Sequence, residues 1–161
     1  MTAQDNIREV SVKSYYAAYL GRRAEIRQLL FEVTGLLQQF PLTRGEAGLS
    51  AAVYQANRRF PFVKLVYLLD AEGRQISNNI AVAEDRQVRI DKVIGRDRSQ
   101  RPYFDHDASG MIITEPYISL ADGEVCISLS FQCQRSTDDI IWAVVDCNLT
   151  EVMSYLYRYM F

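Results

Sequence analysis

A chain of 161 residues with 48% hydrophobic and 24% charged residues has the composition of one globular domain with a sizeable core, which excludes disorder and low complexity. The formal net charge is −2. The densest charge cluster, 84–107, mixes Arg86, Arg89, Arg96, Arg98 and Arg101 with Asp85, Asp91, Asp97, Asp105 and Asp107, a poor phosphate-backbone footprint, so nucleic acid is not an expected partner. The longest apolar stretches, Phe62 to Leu69 and Ile140 to Val145, fall short of the ~18–20 residues of a membrane helix, and no apolar signal segment opens the chain. Cys126, Cys133 and Cys147 have no C-x-x-C spacing, so free buried thiols are expected, with neither a disulfide framework nor a zinc site.

Residues 1–40 hold no proline and only Gly21 and Gly35, with Ile26, Leu29, Leu30, Val33, Leu37 and Phe40 at helical spacing. The spacing predicts one long helix, bent near Gly21 and stopped before Pro41. Tyr15, Tyr16, Tyr19 and Leu20 look half exposed, which makes self-association through this helix one expectation and packing on the chain's own sheet the other. A second helix is predicted over 46–59 through Leu49, Val53 and Ala56.

Phe62 to Leu69 is β-branched and aromatic, and it runs into the turn Asp70-Ala71-Glu72-Gly73, with Arg74 to Ser77 predicted to return as the second hairpin strand. Residues 78–100 lack a sustained period and predict a long loop with at most short helical or strand pieces. A short helix is expected over 101–108, capped by Ser99 and ended by Gly110. Three strands follow at 111–119, 124–134 and 140–148, with Pro116 marking a bulge or an edge. Short turns make them an antiparallel meander. Thr150 is the expected cap of a last helix, 151–161.

The chain lacks the glycine-rich, phosphate-loop, zinc-protease and nucleophile-elbow motifs, and a triad would have to use His106, the sole histidine, which reads as a solvated helix residue. No catalytic residue, metal or cofactor is assigned, and no enzymatic activity is expected. Alternation along 125–133 puts Val125, Ile127, Leu129, Phe131 and Cys133 on one face, with Cys126, Ser128, Ser130 and Gln132 on the other. The partner strand, 140–146, is apolar on both faces, as a centrally placed strand covered on both sides would be. Small polar groups on a covered face suit a ligand cavity; simple exposure is the alternative. Asp146 reads either as a sheet-edge carboxylate bonded to amides or as the partner of a cationic ligand group or an arginine. Arg101 is the candidate for gripping a carboxylate through two nitrogens, whereas Arg96 and Arg98 read as surface charges.

The segment Gly95-Arg96-Asp97-Arg98-Ser99-Gln100-Arg101-Pro102-Tyr103-Phe104, then Tyr117-Ile118-Ser119, Asp122-Gly123-Glu124 and Ile127-Ser128-Leu129-Ser130, resembles a Cache (PDC) sensor domain. These PAS-like domains bind ligands in bacterial chemoreceptors, histidine kinases and diguanylate cyclases, and the R-P-Y-F segment is similar to that of sensors responsive to C4-dicarboxylates. The resemblance covers roughly residues 60–150. It implies an α+β, PAS-like fold, with five antiparallel strands and the long N-terminal helix on one face. In its amino-acid-binding members an arginine, an aromatic pair, a strand tyrosine and a later aspartate surround the ligand, and Arg101, Tyr103, Tyr117 and Asp146 fall at similar places. Tyr103 stands where those domains usually carry tryptophan. With Ser119, Ser128 and Ser130 they make up the expected ligand-binding set.

The expected organisation is therefore one sensor domain over 1–161, with the long helix at 1–40, the sheet and ligand-binding part at 60–150 and the terminal helix at 150–161. Its expected ligand is a small carboxylate or amino acid, and its expected partners are an output module and a second copy held through the first helix. The other reading is a ligand-free PAS-like interaction or dimerisation module. Free cysteines and the lack of an apolar segment point to the cytoplasm for the chain as it stands, the alternative being an extracytoplasmic sensor fragment of a membrane protein.

Overall fold

The computed structural model describes residues 13–14, 16–83, 87–105, 110–119, 123–135 and 139–159. The helical backbone of α1, residues 16–21, is interrupted at Arg22, whose φ of −129° and ψ of 16° leave the helical region before α2 (Arg23–Leu37) begins. The expected single helix is thus two pieces meeting beside Gly21, and its residues 1–12 lie outside the described set. α2 buries the predicted stripe Ile26, Leu29, Leu30, Val33 and Leu37. It ends at Leu37, and turns carry the chain through Phe40 to Pro41.

The expected second helix is α3 (Glu46–Arg59), which buries Leu49, Val53 and Ala56, with Glu46 in its first turn and Arg58 and Arg59 in its last, as the helix dipole favours. Asn57, 6% exposed, donates from Nδ2 to the carbonyls of Pro61 at 3.2 Å and Val63 at 2.8 Å, tying the helix end to the first strand.

The strands are β1 (Val63–Leu69), β2 (Asn79–Val82), β3 (Val88–Asp91), β4 (Met111–Ile113), β5 (Tyr117–Ile118), β6 (Val125–Arg135) and β7 (Ile140–Asn148). They form one antiparallel sheet in the order β3-β2-β1-β7-β6-β4, with β5 also on β6. The meander is as expected, but the described residues form seven strands rather than five. Residues 111–119 split around Pro116, which has no N–H to donate to a ladder, and residues 79–82 and 88–91, expected within a loop, extend the sheet as β2 and β3.

The hairpin return is displaced as well. Arg74 to Ser77 form no regular strand: they contribute the isolated bridges Leu69↔Gln75 and Arg74↔Asp97, and the ladder with β1 lies in β2, with Leu65 opposite Ala81 and Val66 opposite Ile80. Side chains cause the detour. The Asp70 carboxylate accepts from the backbone N–H of Glu72 and Arg74, and Ser77 Oγ, rather than a backbone carbonyl, accepts from the N–H of Leu68.

One sheet face, carrying Val66, Leu68, Ile127, Leu129, Phe131, Val145 and Cys147, packs with the helices into the main core. The other carries Tyr67, Leu69, Trp142 and Val144, which cluster with Tyr103 and the half-buried Phe104. Segment 98–104, the end of the predicted loop and the start of the predicted short helix, covers this second face, so the two sides of the sheet are occupied as expected, but residues 78–97 do not make that cover. Residues 101–105 form turns rather than the expected start of a helix, and 106–109 lie outside the described set. The Asp97 carboxylate accepts from the N–H of Ser99 at 2.9 Å, so Asp97, not Ser99, caps the turn. At α4 (Leu149–Tyr159) the cap is Asn148, whose Oδ1 accepts from the N–H of Glu151 at 3.1 Å, rather than Thr150. Among the described residues no helix is long and apolar enough to cross a membrane.

Candidate ligand-binding site

The register of β6 with β7 sets Ser128 opposite Asp146, and strand alternation turns both away from the helices. Ser128 Oγ donates to Asp146 Oδ1 at 2.6 Å, and the Tyr117 hydroxyl lies 2.6 Å from the same Oγ. A serine hydroxyl has one proton; with it committed to Asp146, Tyr117 must donate to Ser128. The chain Tyr117→Ser128→Asp146 therefore leaves the Tyr117 oxygen with its lone pairs for an incoming donor. Ser130 Oγ, one strand repeat along, donates to the carbonyl of Tyr103 at 2.5 Å and so fastens the covering segment to the sheet.

Between this face and the covering segment lies a cavity of about 410 Å³. Arg101, Tyr103, Tyr117, Ser119 and Asp146 of the expected set line it. Ser128 and Ser130 are fully buried beneath and do not line it; their hydroxyls are spent on Asp146 and Tyr103. Cys126, 6% exposed, sits beside Ser128 with its thiol pushed up to about 11 by burial. Burial, and the negative charge of Asp146, also hold the hydroxyls of Tyr67, Tyr103 and Tyr117 above the ordinary tyrosine range, so all three face the cavity protonated.

Arg96 and Arg98, expected as surface charges, line the cavity too, together with Asn79, Leu65 and Tyr67, none of which the sequence singled out. The overlooked signal is the Arg-x-x-Arg spacing of Arg98 and Arg101, which a tight turn brings to one side: the N–H of Arg101 bonds the carbonyl of Arg98 at 3.1 Å. Arg98 has its guanidinium carbon 5.2 Å from the Tyr67 ring centre and donates from Nε to Gln75 Oε1 at 3.1 Å. Ion pairs among the described residues join Arg22 to Glu25, Arg23 to Glu115 and Lys64 to Glu151; Arg96, Arg98 and Arg101 take part in none. His106 lies outside the described residues, and among those described no cluster of side chains could hold a metal ion.

No family profile and no curated protein matches the sequence. Solved structures do. The extracellular domain of the candidate histidine kinase vpHK1S-Z8 aligns over 97% of this chain and 64% of its own, with a TM-score of 0.62 at 14% identity. The ligand-binding domain of the Campylobacter jejuni chemoreceptor Tlp3, in complex with L-valine, aligns over 93% of this chain and 64% of its own, with a TM-score of 0.61 at 12% identity. The fold is Cache-type. A third likeness, to the Bacillus subtilis YkuI protein with its EAL domain, has a TM-score of 0.54 at 16% identity and covers 89% of this chain but 35% of that one. The chain thus spans less than two thirds of each of these three structures, and at these identities the likeness is one of fold.

Proposed function

We propose that this chain is a sensory input domain of a bacterial signalling protein, binding a small carboxylate or amino acid in the cavity between the sheet and segment 95–104. The observation that carries the reading is charge placement: guanidinium groups without an ion-pair partner and the Asp146 carboxylate line one cavity of about 410 Å³, a size usual for small-molecule sites. Arg101 grips the carboxylate, Asp146 and the acceptor oxygen of Tyr117 receive an ammonium group, and Tyr103 and Ser119 complete the wall. A cavity filled by side chains would favour a ligand-free interaction module; an open one lined by Arg101, Tyr103 and Tyr117 favours a sensor.

The likeness to a chemoreceptor domain solved with L-valine supports the ligand class, and the likeness to the extracellular domain of a histidine kinase supports the extracytoplasmic alternative for the compartment. The output route runs along β7, because Asp146 stands two residues before Asn148, the cap of α4. A ligand drawn to Asp146 shifts the base of that helix and so biases an attached output module. Self-association has its own support. Tyr16 (42% exposed), Leu20 (53%) and Phe31 (59%) leave an apolar stripe along α1 and α2 open, so Phe31→Glu is expected to lower the solution mass if the chain pairs through it.

The test is a thermal-shift screen of small carboxylates, amino acids and amines, since a ligand that binds only the native state raises its melting temperature. A carboxylate or amino acid is expected to raise it; no response from any of them overturns the reading.

A further inference from the structure

The strongest unassigned feature is the buried amide of Gln75. The residue is 1% exposed and lies outside the expected binding set, yet two of its three side-chain bonds reach residues of the cavity wall, Asn79 and Arg98. Its Nε2 donates to Asn79 Oδ1 at 2.7 Å and to the carbonyl of Ser77 at 2.9 Å, while its Oε1 accepts from Arg98 Nε at 3.1 Å. This orientation is the only one the partners allow: a flipped amide would set NH₂ against the Arg98 donor and oxygen against the Ser77 carbonyl. The backbone is held as firmly, since Gln75 N–H bonds the carbonyl of Arg96 and the N–H of Gly95 bonds the carbonyl of Gln75, both at 2.8 Å.

We infer that Arg98 and Asn79 form a carboxylate subsite of this cavity, and that Gln75 is the positioning residue that aims both. The inference rests on the reading of the cavity as a ligand site and deepens it. Binding Arg98 through Nε leaves its two terminal nitrogens as donors, in the planar arrangement that matches two oxygens of one anion. The guanidinium carbon stands over the Tyr67 ring at 5.2 Å, and Arg98 is in none of the ion pairs found among the described residues. Taking Asn79 through Oδ1 leaves its Nδ2, again a donor. Gln75 thus absorbs an acceptor on one side and a donor on the other so that both lining residues offer N–H groups only. Such a set recognises an oxyanion, and rejects a cation. A ligand with two charged ends is then oriented, its anionic end held by Arg101 together with this subsite and its cationic end at Asp146.

The experiment measures melting temperature and the fluorescence of Trp142, the chain's single tryptophan, which packs at 6.4 Å from Phe104 under the covering segment. Acetate, succinate, L-alanine, inorganic phosphate and ethylamine are titrated into the wild type, Arg98→Gln, Arg98→Lys and Gln75→Leu. At least one carboxylate is expected to bind the wild type. Arg98→Gln and Gln75→Leu should each weaken it by about tenfold or more, the scale of a lost hydrogen bond to a charged group, and Arg98→Lys should not restore it. The ethylamine response should stay unchanged in Gln75→Leu, which general loosening of the fold would not allow. Arg98→Gln alters a half-buried side chain and carries the test even if Gln75→Leu fails to fold. Carboxylate binding that is equal in wild type and Arg98→Gln overturns the subsite and leaves the cavity reading standing. Binding of phosphate without any carboxylate overturns the carboxylate assignment, and no binding by any probe overturns subsite and cavity reading together.

Discussion

Ser128 and Asp146 stand opposite each other on neighbouring strands, share a hydrogen bond of 2.6 Å, and divide the work between a fully buried hydroxyl and a carboxylate at the cavity wall. The serine settles how Asp146 and Tyr117 are held before any ligand arrives. Ser128→Ala leaves the Tyr117 hydroxyl and one Asp146 oxygen without this partner, and the expected cost is about 1–3 kcal/mol of stability. Urea unfolding measures it; an unchanged midpoint would mean that water replaces the serine at no cost.

Arg101 and Asp146 should divide ligands by charge. Arg101→Ala is expected to weaken every carboxylate by about tenfold or more, whereas Asp146→Asn should weaken amino acids and spare carboxylates that lack an amine. Calorimetric titration of an amino acid beside its deaminated analogue reads the difference. Equal losses for the two compounds in Asp146→Asn would remove the ammonium role.

Gly73 supports the covering segment from beneath. It has φ +85°, and a Cβ there would lie 2.8 Å from Ser99 Cα and 3.0 Å from the Phe104 ring, while its carbonyl accepts from the N–H of Arg98. Gly73→Ala is expected to cost about 1–3 kcal/mol in backbone strain and to lift the segment off Trp142. A red shift of the Trp142 emission checks this; an unshifted spectrum with wild-type stability would contradict it.

Alkaline pH should unfold the protein through its thiols and tyrosines. Burial pushes Cys126 and Cys133 up to about 11 from the ordinary 9.0, and Cys147 well above it. In the unfolded chain these thiols lose their protons first, so the unfolded state binds fewer protons and stability falls as pH rises. The contribution of Cys126 and Cys133 is complete below pH 9 and is lost between pH 9 and about 11, that of Cys147 goes on falling beyond, and the buried tyrosines add to the loss from their ordinary value of 10.0 upward. The urea midpoint should hold level from neutrality to about pH 8 and drop steadily above 9. A midpoint unchanged at pH 10.5 would show that the thiols are solvated in the fold.

Where chemistry is local, the sequence carried the answer. The period of Leu49, Val53 and Ala56 marks α3, alternation separates Ser128 from Leu129, and Pro116 breaks the strand where an N–H would be needed. The helix caps were misread because Thr150 and Ser99 are as fit to cap as Asn148 and Asp97, and only the backbone path chooses between them.

Within the expected binding set, residue chemistry nominated Arg101 and Asp146 and the family resemblance added Tyr103, Tyr117 and Ser119, and these five line the cavity together. Neither was enough to tell lining from support. Ser128 and Ser130 share the face of Asp146, yet their short side chains reach only their neighbours, Asp146 and the Tyr103 carbonyl. Arg98 and Asn79 were missed for the converse reason: they belong to the wall only because Asp70 and Ser77 divert the hairpin and carry Gln75 beneath segment 95–98. Period, parity and propensity act between residues close in the chain, and these the sequence determined by itself. The meeting of residues 75, 79 and 98 depends on which backbone groups a distant segment leaves unpaired, and that only the tertiary structure decided.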